Sequence, residues 1–479
     1  MGSNLVKDTM WTTLSTIVMA IVQILRLSIL ARFLDKTDFG IVAILTLILG
    51  FSQIFCDLGF ATALMYKKDI TRKEFSSLYW LQFSLFILMY VLFLCLSKPL
   101  AMFYEEASLA FLLPIVMIDL LFKGIGRLYE VMLQKNFRFK LMALRNIIAS
   151  ILSLIVAVFL AFEGYGVYSL ILSTLFNTIL VNVWNFIAGF RDIRLMFYCS
   201  LGEVKTLCKI GIFQTGSQIL DYVSTKIDII ILGKVLGTYD LGLYNLAKEL
   251  ILRALDVLNG IANKVALPYF AKMQDSHVAL RFNYCKLMKL LASVNIPICA
   301  MMGALSIPIV DIMYGFDYKE VAPLLSILSI WGMFVVVGNP VSNIVISTGN
   351  TKLSFKYTIF RLLLFIPGTL LLSYISLLAL SWGQIFLAFL GYVLSWYMLL
   401  YKTIKLDFSS YFKSMYKSFL YFSFVVLFCY NSYLVFSEFL ESNIFKYIII
   451  SCIYAFLLLV YIIFIDKNFI FLFIKQKFK

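Results

Sequence analysis

Charged residues are scarce in this chain, and histidine is almost absent. Of the 479 residues only 14% are Asp, Glu, Lys or Arg, and His277 is the single histidine. The eight cysteines are scattered without any C-x-x-C pair, so free thiols are expected and a zinc site is excluded. Eight prolines and no Ser/Gly-rich stretch argue against flexible linkers. We expect no metal and no other cofactor.

Hydrophobic residues make up 62% of the chain, which excludes an ordinary soluble domain and predicts an all-α polytopic membrane protein. A net charge of +15 in a soluble protein would suggest nucleic-acid binding. Here the basic residues concentrate in particular loops, where they set the membrane orientation and contact anionic lipid headgroups. We therefore expect membrane lipids, and no nucleic acid, as partners.

Fourteen apolar stretches are long enough to cross a bilayer, which takes about 20 helical residues. Of the 41 Lys and Arg, only six lie in or beside the loops that follow odd-numbered stretches. By the positive-inside rule both termini are cytoplasmic. The predicted spans are 11–31, 40–62, 78–97, 109–131, 141–162, 165–189, 210–232, 241–263, 287–308, 320–346, 355–376, 381–401, 417–437 and 446–465.

A short motif recurs at an offset of 202 residues. ARFLDKTDFGI at 31–41 matches GKVLGTYDLGL at 233–243, so that Gly40 aligns with Gly242. Two spans separated by a D-x-G turn thus recur in the same orientation, because an even number of spans lies between them. We interpret this as a parallel repeat, with two halves related about the membrane normal. Chance similarity among apolar helices is the alternative.

Spans 7 and 8 each carry one polar face at helical spacing. A charge at the bilayer centre costs roughly 2.5–3.5 kcal/mol, so such a face must meet other helices or water. We expect these helices to form two walls of a polar cavity. The polar residues are Gln214, Gln218, Asp221, Thr225 and Asp228 in span 7, and Asn245, Glu249, Arg253, Asp256, Gly260 and Asn263 in span 8.

Several motifs occur in the order that is typical of one family. The chain resembles the bacterial polysaccharide flippases of the multidrug/oligosaccharidyl-lipid/polysaccharide exporter superfamily, and above all the lipopolysaccharide, O-antigen and colanic-acid type exporters. The resemblance covers spans 1 to 12 and weakens after about residue 355. Its motifs include ILARFLDKTDFG (29–40), DLGFATAL (57–64), LQKNFRFK (133–140), GYGVYSLIL (164–172), LPYFAKMQ (267–274) and YGFDYKEVAPLLSILSIWG (314–332).

The resemblance implies two six-helix lobes around a central cavity. The N-lobe, spans 1–6, would occupy residues 1–200, the C-lobe, spans 7–12, residues 201–405, and two extra helices residues 406–479. It also implies alternating-access translocation of undecaprenyl-pyrophosphate-linked oligosaccharide across the bacterial inner membrane, for O-antigen, capsule or exopolysaccharide assembly. The polysaccharide polymerase machinery is then a candidate partner.

Eight bases lie inside the predicted spans and away from their ends, four from each lobe. Guanidinium and ammonium groups are natural partners of a diphosphate, so these residues are candidate substrate-binding cations. Arg26, Arg145 and Arg361 are favoured, because no acid lies three or four residues away on the same helix. The other five are Lys123, Arg127, Lys226, Lys248 and Arg253.

Helical spacing also groups polar residues in two N-lobe spans, as it does in spans 7 and 8. Such a face would line a cavity rather than meet lipid. The two faces are Thr46, Gly50, Gln53 and Asp57 in span 2, and Asp119, Lys123, Arg127 and Glu130 in span 4.

Seven acids inside the spans nearly balance the eight bases, so structural pairing is an alternative role for each cation. Such pairs would include Asp119–Lys123, Arg127–Glu130 and Arg253–Asp256. Acids that face a cavity could instead exchange H+ or Na+ during a transport cycle. The candidates for ion coupling are Asp57, Asp228, Glu249 and Asp256.

Other functions stay open beside the polysaccharide flippase. A drug/cation antiporter of the same superfamily would have an acidic, aromatic cavity with few buried bases. A peptidoglycan-precursor flippase fits the motifs less well. A membrane enzyme acting on lipid-linked sugars usually carries catalytic residues on a large extracytoplasmic loop, whereas the outer loops here are short and lack D-x-D motifs. We expect a transporter and not an enzyme.

Overall fold

The computed structural model describes residues 2–67, 69–271, 273, 276–348, 350–439 and 443–464. Every regular element within these ranges is helical. By its internal contacts the chain divides into two compact units, Met1–Asn245 and Leu246–Lys479. The predicted lobe boundary lies at residue 200 instead, and it stays a prediction.

The first unit is built from eight helices and the start of a ninth. They are α1 (Gly2–Leu30), α2 (Lys36–Asp57), α3 (Phe60–Tyr66), α4 (Arg72–Tyr104), α5 (Leu109–Lys135), α6 (Phe139–Phe162), α7 (Val167–Phe190), α8 (Leu201–Val235) and α9 (Gly237–Ala271).

The second unit continues α9 and adds helices of more varied length. They are α10 (His277–Ala304), α11 (Ser306–Met313), a 3-10 turn (Phe316–Tyr318), α12 (Val321–Ser347), α13 (Thr351–Ser373), α14 (Leu377–Ser395), a π-helical segment (Trp396–Tyr401), α15 (Lys402–Ile404), α16 (Phe408–Lys413), α17 (Tyr416–Phe439) and α18 (Asn443–Phe464).

Among the described residues, ten helices are long and apolar enough to cross a membrane, and they coincide with predicted spans 1–6 and 9–12. The chain is therefore an all-helical, polytopic membrane protein. Predicted spans 7 and 8 lie in α8 and α9, which are long but carry charged side chains that lower their hydropathy. Predicted spans 13 and 14 lie in α17 and α18. The membrane crossing of these four stays a prediction.

Local sequence accounts for the break between α2 and α3 and for the start of α4. Leu58 and Gly59 adopt positive φ values of 36° and 69°, which end α2 and turn the chain. Thr71 and Glu74 form a capping box: Glu74 N donates to Thr71 Oγ1 at 3.3 Å, and Thr71 N donates to Glu74 Oε2 at 3.0 Å. Both features fix the ends of helices that frame the cavity described below.

Helix α5 lies at the centre of the first unit, where it contacts α2, α4 and α7. Glycines allow the close approach of α7. A Cβ on Gly126 would lie 2.6 Å from the backbone of Asn182, and one on Gly189 would lie 2.3 Å from the ring of Tyr129. This packing holds the polar face of α5 toward α2.

Candidate functional site

A cavity of about 570 Å³ opens within the first unit among α2, α4, α5 and α8. Most of the residues that line it are polar or charged, although each helix is apolar overall. Its lining includes Gly50, Gln53, Ile54 and Asp57 from α2, Phe86 from α4, Lys123 and Arg127 from α5, and Gln218, Asp221, Tyr222 and Thr225 from α8.

Gln53 connects a cation and an acid of α5. Lys123 Nζ donates to Gln53 Oε1 at 2.6 Å, and Gln53 Nε2 donates to Asp119 Oδ2 at 3.1 Å. The Asp119 side chain is 4% exposed. The structure thus brings the two polar faces predicted on spans 2 and 4 into direct contact.

Arg127 forms the second link between these helices. Its Nε lies 3.5 Å from Asp57 Oδ1, and its Nη1 lies 3.1 Å from Glu130 Oε2. Gln82 of α4, which is buried, donates from Nε2 to the same Asp57 oxygen at 3.3 Å. Arg127 therefore balances two carboxylates at one end of the cavity, and its pairing with Glu130 agrees with the predicted pair.

Tyr222 fixes the α8 wall against α2. Its hydroxyl donates to the carbonyl oxygen of Leu47 at 3.0 Å. The ring passes directly over Gly50, where an added Cβ would lie 2.2 Å from the hydroxyl oxygen. Gly50 thus leaves room for the close approach of the tyrosine.

Charges of both signs line the cavity. Lys123 and Arg127 supply two cations, and Asp57 and Asp221 supply two carboxylates. Ionic groups in a cavity walled by apolar helices interact more strongly than in water. An anion that enters must therefore compete with the carboxylates and amides that already hold the two cations.

Three predicted cations of the first unit, Arg26, Arg145 and Lys226, lie outside the cavity lining. Arg26 Nη2 donates to Leu170 O, Ser173 Oγ and Thr174 Oγ1, each at 2.7 Å, and so ties α1 to α7. The Arg145 side chain is 1% exposed.

Arg145 is held by side chains from three helices. Its Nη2 lies 3.4 Å from Glu130 Oε1 and 2.8 Å from Asn146 Oδ1, and its Nη1 donates to Asn185 Oδ1. Glu130 is shared with Arg127. The predicted cations Arg127 and Arg145 thus meet at one acid.

The remaining predicted residues of the first unit lie on α8. Lys226 is half-buried and directly follows the cavity residue Thr225. Asp228 is buried, accepts from the Tyr244 hydroxyl at 2.6 Å, and accepts from the backbone N of Ile229 at 3.0 Å. The side chain of Gln214 lies outside the described residues, and the rest of the polar stripe predicted for span 7 divides into a cavity-facing part and a buried part.

In the second unit the predicted cations contact aromatic or acidic side chains. Lys248 Nζ lies 5.1 Å from the ring centroid of Trp331, and Arg253 Nη2 lies 3.0 Å from Glu249 Oε2. The Arg361 guanidinium lies 5.8 Å from the ring centroid of Tyr357.

The side chain of Asp256 lies outside the described residues, so its predicted pairing with Arg253 and its predicted ion-coupling role are not addressed by the structure. Within the described residues, no group of three His, Cys, Asp or Glu side chains could hold a metal ion.

Sequence reasoning placed Gln53 and Asp119 on polar faces but did not choose them as site residues. A glutamine carries no charge, and the spacing of Asp119 and Lys123 on one helix predicts a simple ion pair. The signal was the coincidence of two polar stripes on neighbouring spans. Phe86 carried no such signal, because an aromatic residue in an apolar span is ordinary.

Comparisons with known proteins agree with this architecture. A family model described as polysaccharide biosynthesis protein matches residues 29–323. The chain is 29% identical over 418 residues to the teichuronic acid biosynthesis protein TuaB of Bacillus subtilis (strain 168), covering 86% of this chain and 85% of TuaB. It is 24% identical over 410 residues to the lipopolysaccharide biosynthesis protein WzxC of Escherichia coli (strain K12), covering 85% of this chain and 83% of WzxC.

Among solved structures, the fold is similar to the lipid II flippase MurJ in an inward closed conformation. The TM-score is 0.76 at 15% sequence identity, and the match covers 96% of this chain and 99% of the MurJ chain. At that identity the likeness concerns the fold.

Proposed function

Because the chain belongs to the polysaccharide biosynthesis protein family, we propose that it is a flippase for lipid-linked oligosaccharides. The substrate is an oligosaccharide repeat unit on undecaprenyl pyrophosphate, which the protein moves from the cytoplasmic to the outer leaflet of the bacterial inner membrane. The relatives TuaB and WzxC are named for the biosynthesis of teichuronic acid and lipopolysaccharide, which are cell-surface polysaccharides. Their names favour a substrate of this class.

One observation carries the proposal: a cavity lined by two cations and several other polar side chains lies among helices that are apolar overall. Lys123 and Arg127 face this space, where a pyrophosphate would otherwise lose the hydration that stabilises its charge. Arg binds phosphate oxygens in pairs, and Lys supplies a compact point charge. We assign the first contact with the pyrophosphate to these two residues.

The other predicted cations stay candidates for later steps of the cycle. Arg26, Arg145 and Lys226 belong to the first unit, and Lys248, Arg253 and Arg361 belong to the second. In a carrier that works by alternating access, residues that are paired in one state become cavity residues in another. Among the candidates for ion coupling, Asp57 lines the cavity and pairs with Arg127. Asp228, Glu249 and Asp256 also stay candidates.

The membrane arrangement that we propose has fourteen spans with both termini in the cytoplasm. Spans 1–6 and 7–12 form the two lobes, at residues 1–200 and 201–405, and residues 406–479 form two additional helices. The supporting observations are the bias of Lys and Arg between alternate loops and the ten apolar helices among the described residues. Association with the polysaccharide polymerase machinery is part of the same proposal.

The test is transport in proteoliposomes that contain the purified full chain. A short-chain polyprenyl-pyrophosphate oligosaccharide is placed in one leaflet, and lectin binding measures its appearance in the other. Lys123→Ala and Arg127→Ala should each slow transport by about tenfold or more, since each removes a charge-assisted hydrogen bond worth about 1.5–3 kcal/mol. Lys98→Ala and Arg191→Ala remove exposed cations elsewhere and should transport as wild type does.

A drug/cation antiporter is the second candidate function, because Asp57 and Asp221 also face the cavity. A lipophilic cation would then bind in place of the pyrophosphate, and Lys123→Ala would strengthen its binding. Cation binding of this kind without oligosaccharide transport would reverse our preference. The expectation that the chain is a transporter and not an enzyme agrees with its family and with the flippase-like fold.

A further inference from the structure

The amide of Gln53 has only one orientation that satisfies both of its neighbours. An ammonium group can donate hydrogen bonds but cannot accept them, so the oxygen of the amide must face Lys123, which lies 2.6 Å from it. The amide nitrogen must then face Asp119 Oδ2, at 3.1 Å. Both oxygens of an ionised carboxylate accept hydrogen bonds, so the observed arrangement suits an ionised Asp119.

Protonation of Asp119 would reverse these preferences. A carboxylic acid whose proton lies on Oδ2 donates from that oxygen, and the Gln53 side chain beside it can offer its amide oxygen as the acceptor. Rotation of the amide by a half-turn would place this oxygen against Asp119 and the NH2 group against Lys123. Because NH2 cannot accept from an ammonium, Lys123 would lose its hydrogen-bond acceptor on Gln53. It would then be available to a phosphate oxygen.

We propose that Gln53 couples the protonation of Asp119 to the availability of Lys123, so that one proton taken up at Asp119 prepares the cavity for its anionic substrate. The proton comes from water and adds one positive charge to the site without breaking any covalent bond. This inference rests on the proposed function, because it names the anion of that function as the ligand of Lys123. Gln53 acts as a positioning residue.

Asp119 also lines a second, smaller cavity. Its volume of about 40 Å³ is enough for one water molecule, and its lining includes Thr46, Asp119 and Thr174 from α2, α5 and α7. Asp119 thus lies between this space and the Gln53–Lys123 pair. A water molecule in this space would contact the Asp119 carboxylate outside the substrate cavity.

Other charges around Asp119 and Lys123 act on both groups. Their electrostatic effect must be distinguished from the coupling through the Gln53 amide, which we call the relay. Thr178 of α7 also hydrogen-bonds Asp119, and Arg26 of α1 donates to Thr174 beside the small cavity. The charged groups nearby are Arg26 on α1, Asp57 on α2, Lys123, Arg127 and Glu130 on α5, and Asp221 on α8. A purely electrostatic link would persist without Gln53, whereas the relay would not.

The experiment measures inorganic pyrophosphate binding to the full chain in nanodiscs by calorimetry, from mildly acidic to mildly alkaline pH. Wild type should bind more tightly as pH falls. Asp119→Asn, which resembles the protonated acid, should bind at neutral pH about tenfold more tightly than wild type and should lose most of the pH dependence. Gln53→Met should flatten the pH profile, and Gln23→Met, the same change on the exposed face of α1, should retain it.

Each alternative result has a separate meaning. If Gln53→Met keeps the wild-type pH profile, the relay is overturned, and a direct electrostatic effect of Asp119 replaces it. If Asp119→Asn also keeps that profile, Asp119 does not control the site at all. If wild type binds no pyrophosphate at any pH, the proposed function fails as well. Infrared spectra of the carboxylic acid band, compared between wild type and Asp119→Asn, show independently whether Asp119 takes up a proton.

Discussion

Gly40 and Gly242 make the same backbone contact from opposite copies of the internal repeat. A Cβ on Gly40 would lie 1.8 Å from the carbonyl oxygen of Thr238, and a Cβ on Gly242 would lie 1.9 Å from the carbonyl oxygen of Lys36. The offset of 202 residues relates Lys36 to Thr238 and Gly40 to Gly242. The contact is therefore reciprocal, as at a two-fold axis, and only glycine fits on either side.

Polar side chains surround this glycine contact. Lys36 Nζ donates to the Tyr239 hydroxyl at 2.9 Å, and Thr238 Oγ1 donates to Glu106 Oε2 at 3.1 Å. These residues lie in or beside loops that the predicted orientation places on the extracytoplasmic side of the membrane. We therefore expect the glycine contact to close the outer side of the first unit in this conformation.

Gly40→Ala should separate the two backbones and open the outer side of the first unit, because the added methyl group cannot fit against the carbonyl oxygen of Thr238. Overpacking of this kind costs about 1–3 kcal/mol. In a background without native cysteines, a cysteine at cavity residue Thr225 should react faster with an impermeant maleimide added from outside. Gly242→Ala should have the same effect.

Gly202→Ala is the control for this substitution, since its Cβ would meet only Ser200 Oγ at 3.7 Å. If Gly40→Ala and Gly202→Ala label equally and melt at the same temperature, the glycine contact does not close the outer side.

Arg145→Ala should destabilise the protein strongly. It would remove the guanidinium that joins Asn185 to Glu130, and a buried polar group that loses its hydrogen-bond partner typically costs about 1–3 kcal/mol. Thermal unfolding in detergent would show a lower Tm, whereas Arg191→Ala, an exposed change, should leave the Tm near that of wild type. A variant at Arg145 that keeps its Tm but loses transport would instead support the predicted contact with substrate.

Tyr244→Phe should destabilise the first unit through Asp228. The hydroxyl is a donor to a buried carboxylate at 2.6 Å, and loss of a partner by a buried polar group costs about 1–3 kcal/mol, or more when that group is charged. Tyr165→Phe removes an exposed hydroxyl and serves as the matched control. Equal melting temperatures for the two variants would show that the Tyr244 hydroxyl does not stabilise Asp228.

Glu105 and Lys234 form an exposed ion pair whose contribution should depend on pH. The Lys234 ammonium, 2.7 Å from Glu105 Oε1, lowers the pKa of that carboxyl below its usual value. A carboxyl whose pKa is lower in the folded state stabilises the fold at pH values above its usual pKa. This contribution disappears as the pH falls through the pKa of the folded state. The effect of an exposed pair is small and is screened by salt.

Glu105→Gln should therefore lower the Tm slightly at neutral pH and low salt, and the difference from wild type should vanish in acid or in high salt. Glu163→Gln, another exposed glutamate, should show no such difference. A Tm difference for Glu105→Gln that survives acidification would contradict the ion pair as its cause.

Much of this architecture is determined locally along the chain. Apolar runs of about 20 residues predict membrane helices without reference to any neighbour, since lipid requires every backbone group to be bonded within the helix. Helical spacing likewise placed Gln53 with Asp57, and Lys123 with Arg127, on common faces. The D-x-G repeat was also visible in the residues, and its glycines proved to be equivalent in the structure.

The partners of the charged side chains were decided only by tertiary packing. Arg145 has no acid within four residues, yet it meets Glu130, fifteen positions earlier, because the chain reverses between α5 and α6. Arg26 finds carbonyl and hydroxyl oxygens on α7. A helix determines which side chains share a face, but which other face they meet depends on packing between distant segments. For that reason the sequence could supply candidate cations, and only the fold could show that Lys123 and Arg127 face the cavity.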